Sequence, residues 1–435
     1  MNQPTKLFNQ NFFLLWQGQF ISRLGVNMYG VAMALFLKHT TGSATLMGLM
    51  WMFSGLPIII LGPFAGIVAD RFSRRKILII SDVINAIAVS SFSLYLFKLE
   101  QKSDFAIIGL FAIGIILGIT GAFFNPAVTA AIPDIVPRSK IAAANSMGQI
   151  SMQVTAFMGQ ALGSMMYAIT GAPAVCLING LGYAYGGISK MFIHIPQALP
   201  SRKSNLKENL VEFKNDLIEG LKFVWHNRGL RTMIYISAIT NLFTTPILPL
   251  LPFYVEDYLK IGAQWYGFFL GMTGIGALFG FAFAGLIKIQ PKAKGNMMIL
   301  FIILMSLGYG LLGLVRVPTI ALGLAFFGGF MGGYVAVNIS VVLQLTTPTE
   351  IRGRVMALLT TLMGSLMPIG MGLGGYIGDL LNKNIPLIYA SCGAIMASLT
   401  MLVALNKQFR DFLAHEQEIK PILNTQKNIA TADLA

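Results

Sequence analysis

Gly62-Pro63-Phe64-Ala65-Gly66-Ile67-Val68-Ala69-Asp70-Arg71-Phe72-Ser73-Arg74-Arg75-Lys76 is the stretch that decides the fold. A Gly-spaced apolar helix end runs directly into one acid and four bases. A long apolar run precedes it and another follows, so it reads as a short charged loop on one face of a membrane.

Composition places the rest of the chain in the bilayer. Of 435 residues, 55% are hydrophobic and 11% charged, about half the charge of an average soluble domain. The net charge of +14 does not imply nucleic acid, because the bases lie singly or in short clusters between apolar runs. Residues 1–11 carry one lysine and no small-residue cleavage site, so the first span is expected to be retained. Cys176 and Cys392 both fall inside apolar runs and read as small apolar packers. No P-loop, nucleophile elbow or metal-ligand spacing occurs. The reading therefore has no enzyme, no metal and no cofactor, and ATP-driven transport by this chain alone is not expected.

Apolar runs long enough to cross a hydrocarbon layer of about 30 Å begin near Phe12, Thr45, Ile77, Phe105, Ile141, Ala174, Leu230, Gln264, Met297, Thr319, Val355 and Leu387. The expected fold class is an all-α membrane protein with twelve transmembrane helices in two pseudo-symmetric six-helix bundles. With the Asp70–Lys76 loop inside, 24 Lys and Arg fall on that side and 6 on the other, which puts both termini in the cytoplasm. Arg23 is the remaining base, inside the first span.

The expected organisation is a cytoplasmic N-terminus (1–11), a six-helix half (12–195), a cytoplasmic linker (196–230), a second half (231–405) and a cytoplasmic tail (406–435). In the linker, Leu206, Leu210, Phe213, Leu217, Leu221 and Val224 recur at helical spacing among charges. That pattern fits either an amphipathic helix on the membrane surface or a plain connecting helix. The tail is polar and reads as disordered after about His415.

The halves repeat. Shifted by 219 residues, Gly48, Gly55, Ala65 and Gly66 fall on Gly267, Gly274, Ala284 and Gly285, and the basic loop falls on Lys288, Lys292 and Lys294. Shifted by 211, Pro137, Gly159 and Gly163 fall on Pro348, Gly370 and Gly374. Parallel repeats of this kind place a substrate site between the halves near the midplane.

Gly62-x-x-x-Gly66-x-x-Ala69-Asp70-Arg71-x-x-Arg74-Arg75-Lys76 resembles the signature loop between helices two and three of the Major Facilitator Superfamily. The span count, the long central loop and the weaker copy at Gly285–Lys294 agree, and the resemblance covers Phe12 to about Leu405. Leu15-Trp16-x-Gly18-Gln19, Ser22-Arg23-Leu24-Gly25, Thr41-Gly42-Ser43, Leu56-Pro57 and Arg352-Gly353-Arg354-Val355-Met356 look like the bacterial efflux branch that includes macrolide and enterobactin exporters.

The resemblance implies secondary active export by alternating access in a bacterial cytoplasmic membrane. Its partners would be a small amphiphilic substrate, the lipid bilayer and a coupling ion, a proton, with the chain acting as a monomer. It also implies that Asp70 meets the start of span eleven. That start follows Arg352 and Arg354, so a gate of Asp70, Arg71, Arg74, Arg75, Lys76, Arg352 and Arg354 is expected. The second copy of the loop lacks the acid, and Asp134 is expected to face Lys288–Lys294 in its place.

Arg23 lies about 17 Å along the first span, near the bilayer middle, where a guanidinium lines a wet cavity or meets a partner. Gln19 and Asn27 sit one turn either side on the same face. With Gln153, Gln160, Asn241 and Asn338 they form the expected cavity set; Arg23 would bind an anionic or carbonyl-rich substrate, hold an internal network, or serve only as a structural tie to a helix-end carbonyl. Helix-to-helix hydrogen bonds explain the other polar residues equally well. Asp82 and Asp379 are the candidates for proton coupling, although Asp82 could serve to neutralise the basic loop and Asp379 to cap an outer helix end. Span four has no arginine and Gln160 stands where the antiporter motif of span five usually has proline, so proton antiport follows from the resemblance and not from residues. Import, lipid flipping or a transporter-like sensor are the alternatives.

Overall fold

The computed structural model describes residues 7–98, 104–197, 218–287, 289–348 and 351–414 and, at Arg352, Arg354, Lys292 and some further positions, the backbone alone. The amphipathic stretch before residue 218, Lys288, and the tail beyond 414 lie outside the described residues, as do the readings made of them. Helices follow one another throughout. They are α1 (Gln10–Thr41), α2 (Ala44–Arg71), α3 (Arg74–Lys98), α4 (Asp104–Ile135), α5 (Ile141–Met191), α6 (Arg228–Thr244), α7 (Ile247–Phe253), α8 (Gln264–Leu286), α9 (Pro291–Leu312), α10 (Pro318–Thr346), α11 (Arg352–Leu380), α12 (Ile385–Ala404) and α13 (Lys407–Ala414).

Local chemistry sets the boundaries. Gly42, at φ 62°, closes α1 in the left-handed conformation, and the Ser43 hydroxyl then accepts the Leu46 N–H to start α2. The 51-residue α5 breaks at Gly171, where φ is 75°, with Pro173 two residues on. Pro246 and Pro252 lack the N–H that a continuous helix needs, so the seventh apolar run is divided into α6, α7 and a π turn at Tyr254–Tyr258.

Ten helical segments of the described residues are long and apolar enough to cross a membrane. The sequence reading expects twelve. One of the ten, running from Arg138 to Met191, holds two membrane lengths in one broken helix, and α11, 29 residues long, is not among the ten. Large apolar side chains such as Ile60, Phe105, Ile169 and Leu286 are exposed on the periphery, as a lipid-facing surface requires.

For description the helices are divided into two blocks, α1–α5 and α6–α12, in which four glycines make similar close contacts. In the first, a side chain at Gly159 or Gly163 would strike Leu24, Asn27 and Met28 of α1. In the second, one at Gly370 or Gly374 would strike Leu242, Thr245 and Pro246, where α6 ends. These are the positions that coincide at the 211-residue shift, and at each of them only a hydrogen leaves room for the neighbouring helix.

One face of the molecule carries the loop after α2. There Asn9 Nδ2 donates to the Ile135 carbonyl (2.7 Å), the Arg74 N–H donates to Gln197 Oε1 (2.9 Å) and the His194 N–H donates to Asn11 Oδ1 (2.9 Å). We call this the basic face and the other end of the helices the far face.

Candidate functional site

The contacts between the two blocks run along two helix pairs, α2 with α11 and α5 with α8, and both follow the same course. At the far face they are tight: Gly375 lies against Ala44, Gly48 against Met371, Gly55 against Pro368, Gly267 against Gln160 and Ser164, and Gly271 against Phe157. Toward the basic face they part. A side chain built on Gly62, Gly66, Gly148, Gly274, Gly285 or Gly364 would meet nothing within 4 Å. The blocks thus form a cleft that is closed at the far face and open at the basic face.

Ionic contacts seal the closed end. Lys38, near the end of α1 and 7% exposed, donates to Glu256 Oε2 at 2.6 Å and to Asp257 Oδ1 at 3.0 Å on the π turn, and to the Pro252 carbonyl at 3.2 Å. His39 Nε2 lies 3.0 Å from Glu256 Oε1, and its Nδ1 lies 2.9 Å from the Tyr167 hydroxyl of α5. Asp379 of α11 accepts from the Ala44 N–H (3.0 Å), the Thr45 N–H (2.8 Å) and the Ser43 hydroxyl (2.7 Å), so it caps α2 across the block boundary. Lys383 follows at 3.5 Å. Sequence reasoning missed Lys38, His39, Glu256 and Asp257 because loop-end charges look merely topogenic; an acid pair four residues past the last of three prolines in an apolar run was the available signal.

At the basic face, the members of the expected gate whose side chains are described lie on the first block. Asp70 is 74% exposed, and among the described residues its ion-pair partner is Arg74 of its own block at 3.4 Å. Arg352 and Arg354 begin α11, with side chains outside those described. Arg74 spends its charge locally, donating to Asp134 Oδ2 at 2.5 Å and the Ala130 carbonyl at 2.9 Å. Asp134 therefore ties α4 to α3 within one block, where the sequence reading has it facing Lys288–Lys294. Arg75 donates to the Met191 carbonyl, Lys76 stays exposed, and Arg71 lies at the end of α2.

Asp82 is buried and pairs with Lys190, itself 1% exposed, whose ammonium also lies 5.0 Å from the Phe124 ring centre. The pair joins α3 to the last turn of α5 inside the first block, so Asp82 neutralises Lys190 and not the basic loop. Sequence reasoning counted Lys190 as a loop base.

The polar row on α1 is partly engaged. Arg23 is half-buried and sends one long contact, 3.5 Å, to the Gly148 carbonyl of α5. Asn27 Nδ2 donates to the Arg23 carbonyl (2.8 Å), while Gln19 Nε2 is buried without a partner. Gln153 and Gln160 are half-buried on α5, and Asn241 is half-buried on α6. Asn338 is buried in α10, where its Nδ2 donates to the Tyr334 carbonyl at 2.8 Å. The structure brings Arg23 and its turn-neighbours to the α1–α5 seam; Asn338 lies inside the second block.

An all-helical molecule with a cleft between two blocks, open on one face and latched on the other, is a membrane transporter of the major facilitator type. Solved structures agree in fold: a POT family transporter in complex with 5-aminolevulinic acid has a TM-score of 0.69 at 13% identity, covering 93% of this chain and 98% of that one. The nucleoside transporter NupG gives 0.65 at 12% identity, covering 91% and 99%. The family model described as a transmembrane secretion effector matches residues 4–428, and the chain belongs to that family. Relatives include macrolide efflux protein A of Streptococcus pyogenes, 26% identical over 86% of this chain and 90% of that protein, and the multidrug efflux pump Tap of Mycolicibacterium fortuitum, 25% identical over 79% and 83%. These relatives are transporters, not enzymes.

Proposed function

We propose that this chain is a secondary active exporter of small amphiphilic compounds, with twelve spans in two pseudo-symmetric six-helix halves that rock about the cleft. The observation that carries the reading is the asymmetry of the inter-block contacts, glycine-tight at one face and parted at the other, which is one end state of alternating access. Matched packing at Gly159 and Gly370, and at Gly163 and Gly374, supports the two halves. The distribution of Lys and Arg supports assigning the basic face to the cytoplasm, so the cleft faces the compartment from which an exporter loads. Macrolide and multidrug efflux by relatives supports drug-like cargo. Proton antiport, action as a monomer and a bacterial cytoplasmic membrane complete the proposal.

In pump-deficient bacteria, expression is expected to lower steady-state accumulation of a fluorescent amphiphilic dye several-fold, with recovery when a protonophore collapses the gradient. Raised accumulation would show an importer. An unchanged level across a panel of dyes and macrolides would overturn export.

A further inference from the structure

We propose that Arg23 is the binding site for a negatively charged oxygen on the substrate, so that the cleft selects carboxylate-bearing amphiphiles over lipophilic cations; this rests on the export reading above.

Among the described residues, every buried or half-buried acid is already committed. Asp82 holds Lys190, Asp134 holds Arg74, Glu256 holds Lys38 and His39, and Asp379 holds the start of α2 with Lys383. The more exposed Asp70 and Asp257 are likewise paired, with Arg74 and Lys38. No buried or half-buried carboxylate among the described residues remains to receive a cationic cargo; Asp104 and Glu219 are exposed. On the positive side, Lys38, Arg74 and Lys190 are matched by these acids, and Arg23 is not.

Arg23 lies about 20 Å from the start of α1, a depth at which an uncompensated charge is costly. Its contact in the protein is the 3.5 Å approach to the Gly148 carbonyl, which leaves most of the five donors of a guanidinium unused. The space beside that contact is open, because nothing lies within 4 Å of where a Gly148 side chain would stand. One turn back on the same helix, Gln19 Nε2 is a further donor with no acceptor. The site is thus rich in donors, and the described acid near it, Asp82, is committed to Lys190. A guanidinium in such surroundings pairs best with a planar oxyanion, which accepts two of its N–H groups at once.

The test uses inverted membrane vesicles and two probes, an anionic xanthene dye with a free carboxylate and its neutral ester. Wild type is expected to take up the acid faster than the ester, and a lipophilic cation such as ethidium more slowly than both. Arg23→Gln should lower the acid-to-ester rate ratio about tenfold or more, as loss of one charge-assisted pair implies. Arg23→Lys should retain part of the preference, and Arg23→Glu should invert it toward ethidium. Wild type alone decides if the variants misfold: preference for ester or cation over acid overturns the inference while leaving export intact. An acid-to-ester ratio unmoved in a folded Arg23→Glu variant also overturns it. If neither dye nor cation moves, the export reading fails and takes this inference with it.

Discussion

Asp82→Asn is expected to lower the thermal midpoint of the detergent-solubilised protein steeply, corresponding to about 3–5 kcal/mol. Asp82 and Lys190 are 2% and 1% exposed at the side chain, and the amide removes the charge that makes the buried ammonium tolerable. A lone ammonium in that position must lose its proton or draw in water, and either outcome loosens the packing of α3 on the end of α5. The glycines there leave no slack: a side chain on Gly186 would strike Ser22, and one on Gly187 would sit against Asp82. The companion variant Asp82→Asn with Lys190→Met should recover most of the midpoint, because replacing both partners with neutral groups removes the unpaired charge along with the bond. A single variant as stable as wild type would show that the pair adds no structural constraint. A double variant no better than the single would show that shape, and not charge, sets its contribution.

Glu256→Gln is expected to open the far face. Glu256 is the common acceptor for Lys38 and His39, and it reaches them across the boundary between the blocks. Breaking a charge pair of this kind costs about 2–5 kcal/mol, all of it against the state in which the far face is closed. A shift of about 2.7 kcal/mol changes a two-state ratio about a hundredfold. Spin labels at Lys98→Cys on the first block and Leu314→Cys on the second should report a longer distance in the variant, with a second, open population dominating. An unchanged distance distribution would mean that Asp379 and the glycine contacts hold the face shut without help. Glu256 sits on a π turn, a local geometry that recurs at functional positions in helices.

The glycine repeat at 211 residues was legible in the sequence, and its members Gly159, Gly163, Gly370 and Gly374 each sit at a close helix contact. Gly163 and Gly374 meet equivalent neighbours, and a small residue at a close crossing has no substitute. The break in the seventh apolar run follows its prolines, whereas Pro126 and Pro133 lie inside an unbroken α4 and Pro368 inside α11, so proline alone did not mark the helix ends. Ion pairs were not legible. Lys38 and Glu256 are 218 residues apart, and Asp82 and Lys190 are 108 apart, and neither residue of either pair carries a local mark of its partner. Asp134 shows the same limit: its place in the repeat points to one block and its carboxylate turns to the other.

The linear order of residues by itself determined that this chain is helical, membrane-embedded and a member of a transporter superfamily, because hydropathy, punctuation and the Gly62–Lys76 loop are local properties of the chain. Tertiary structure alone decided which charges cancel and which end of the cleft is shut. Those outcomes depend on distances between residues far apart in the chain. They are set by the packing of whole helices against one another, which brings Glu256 to Lys38, seats Asp379 on the start of α2 and leaves Arg23 without an acid.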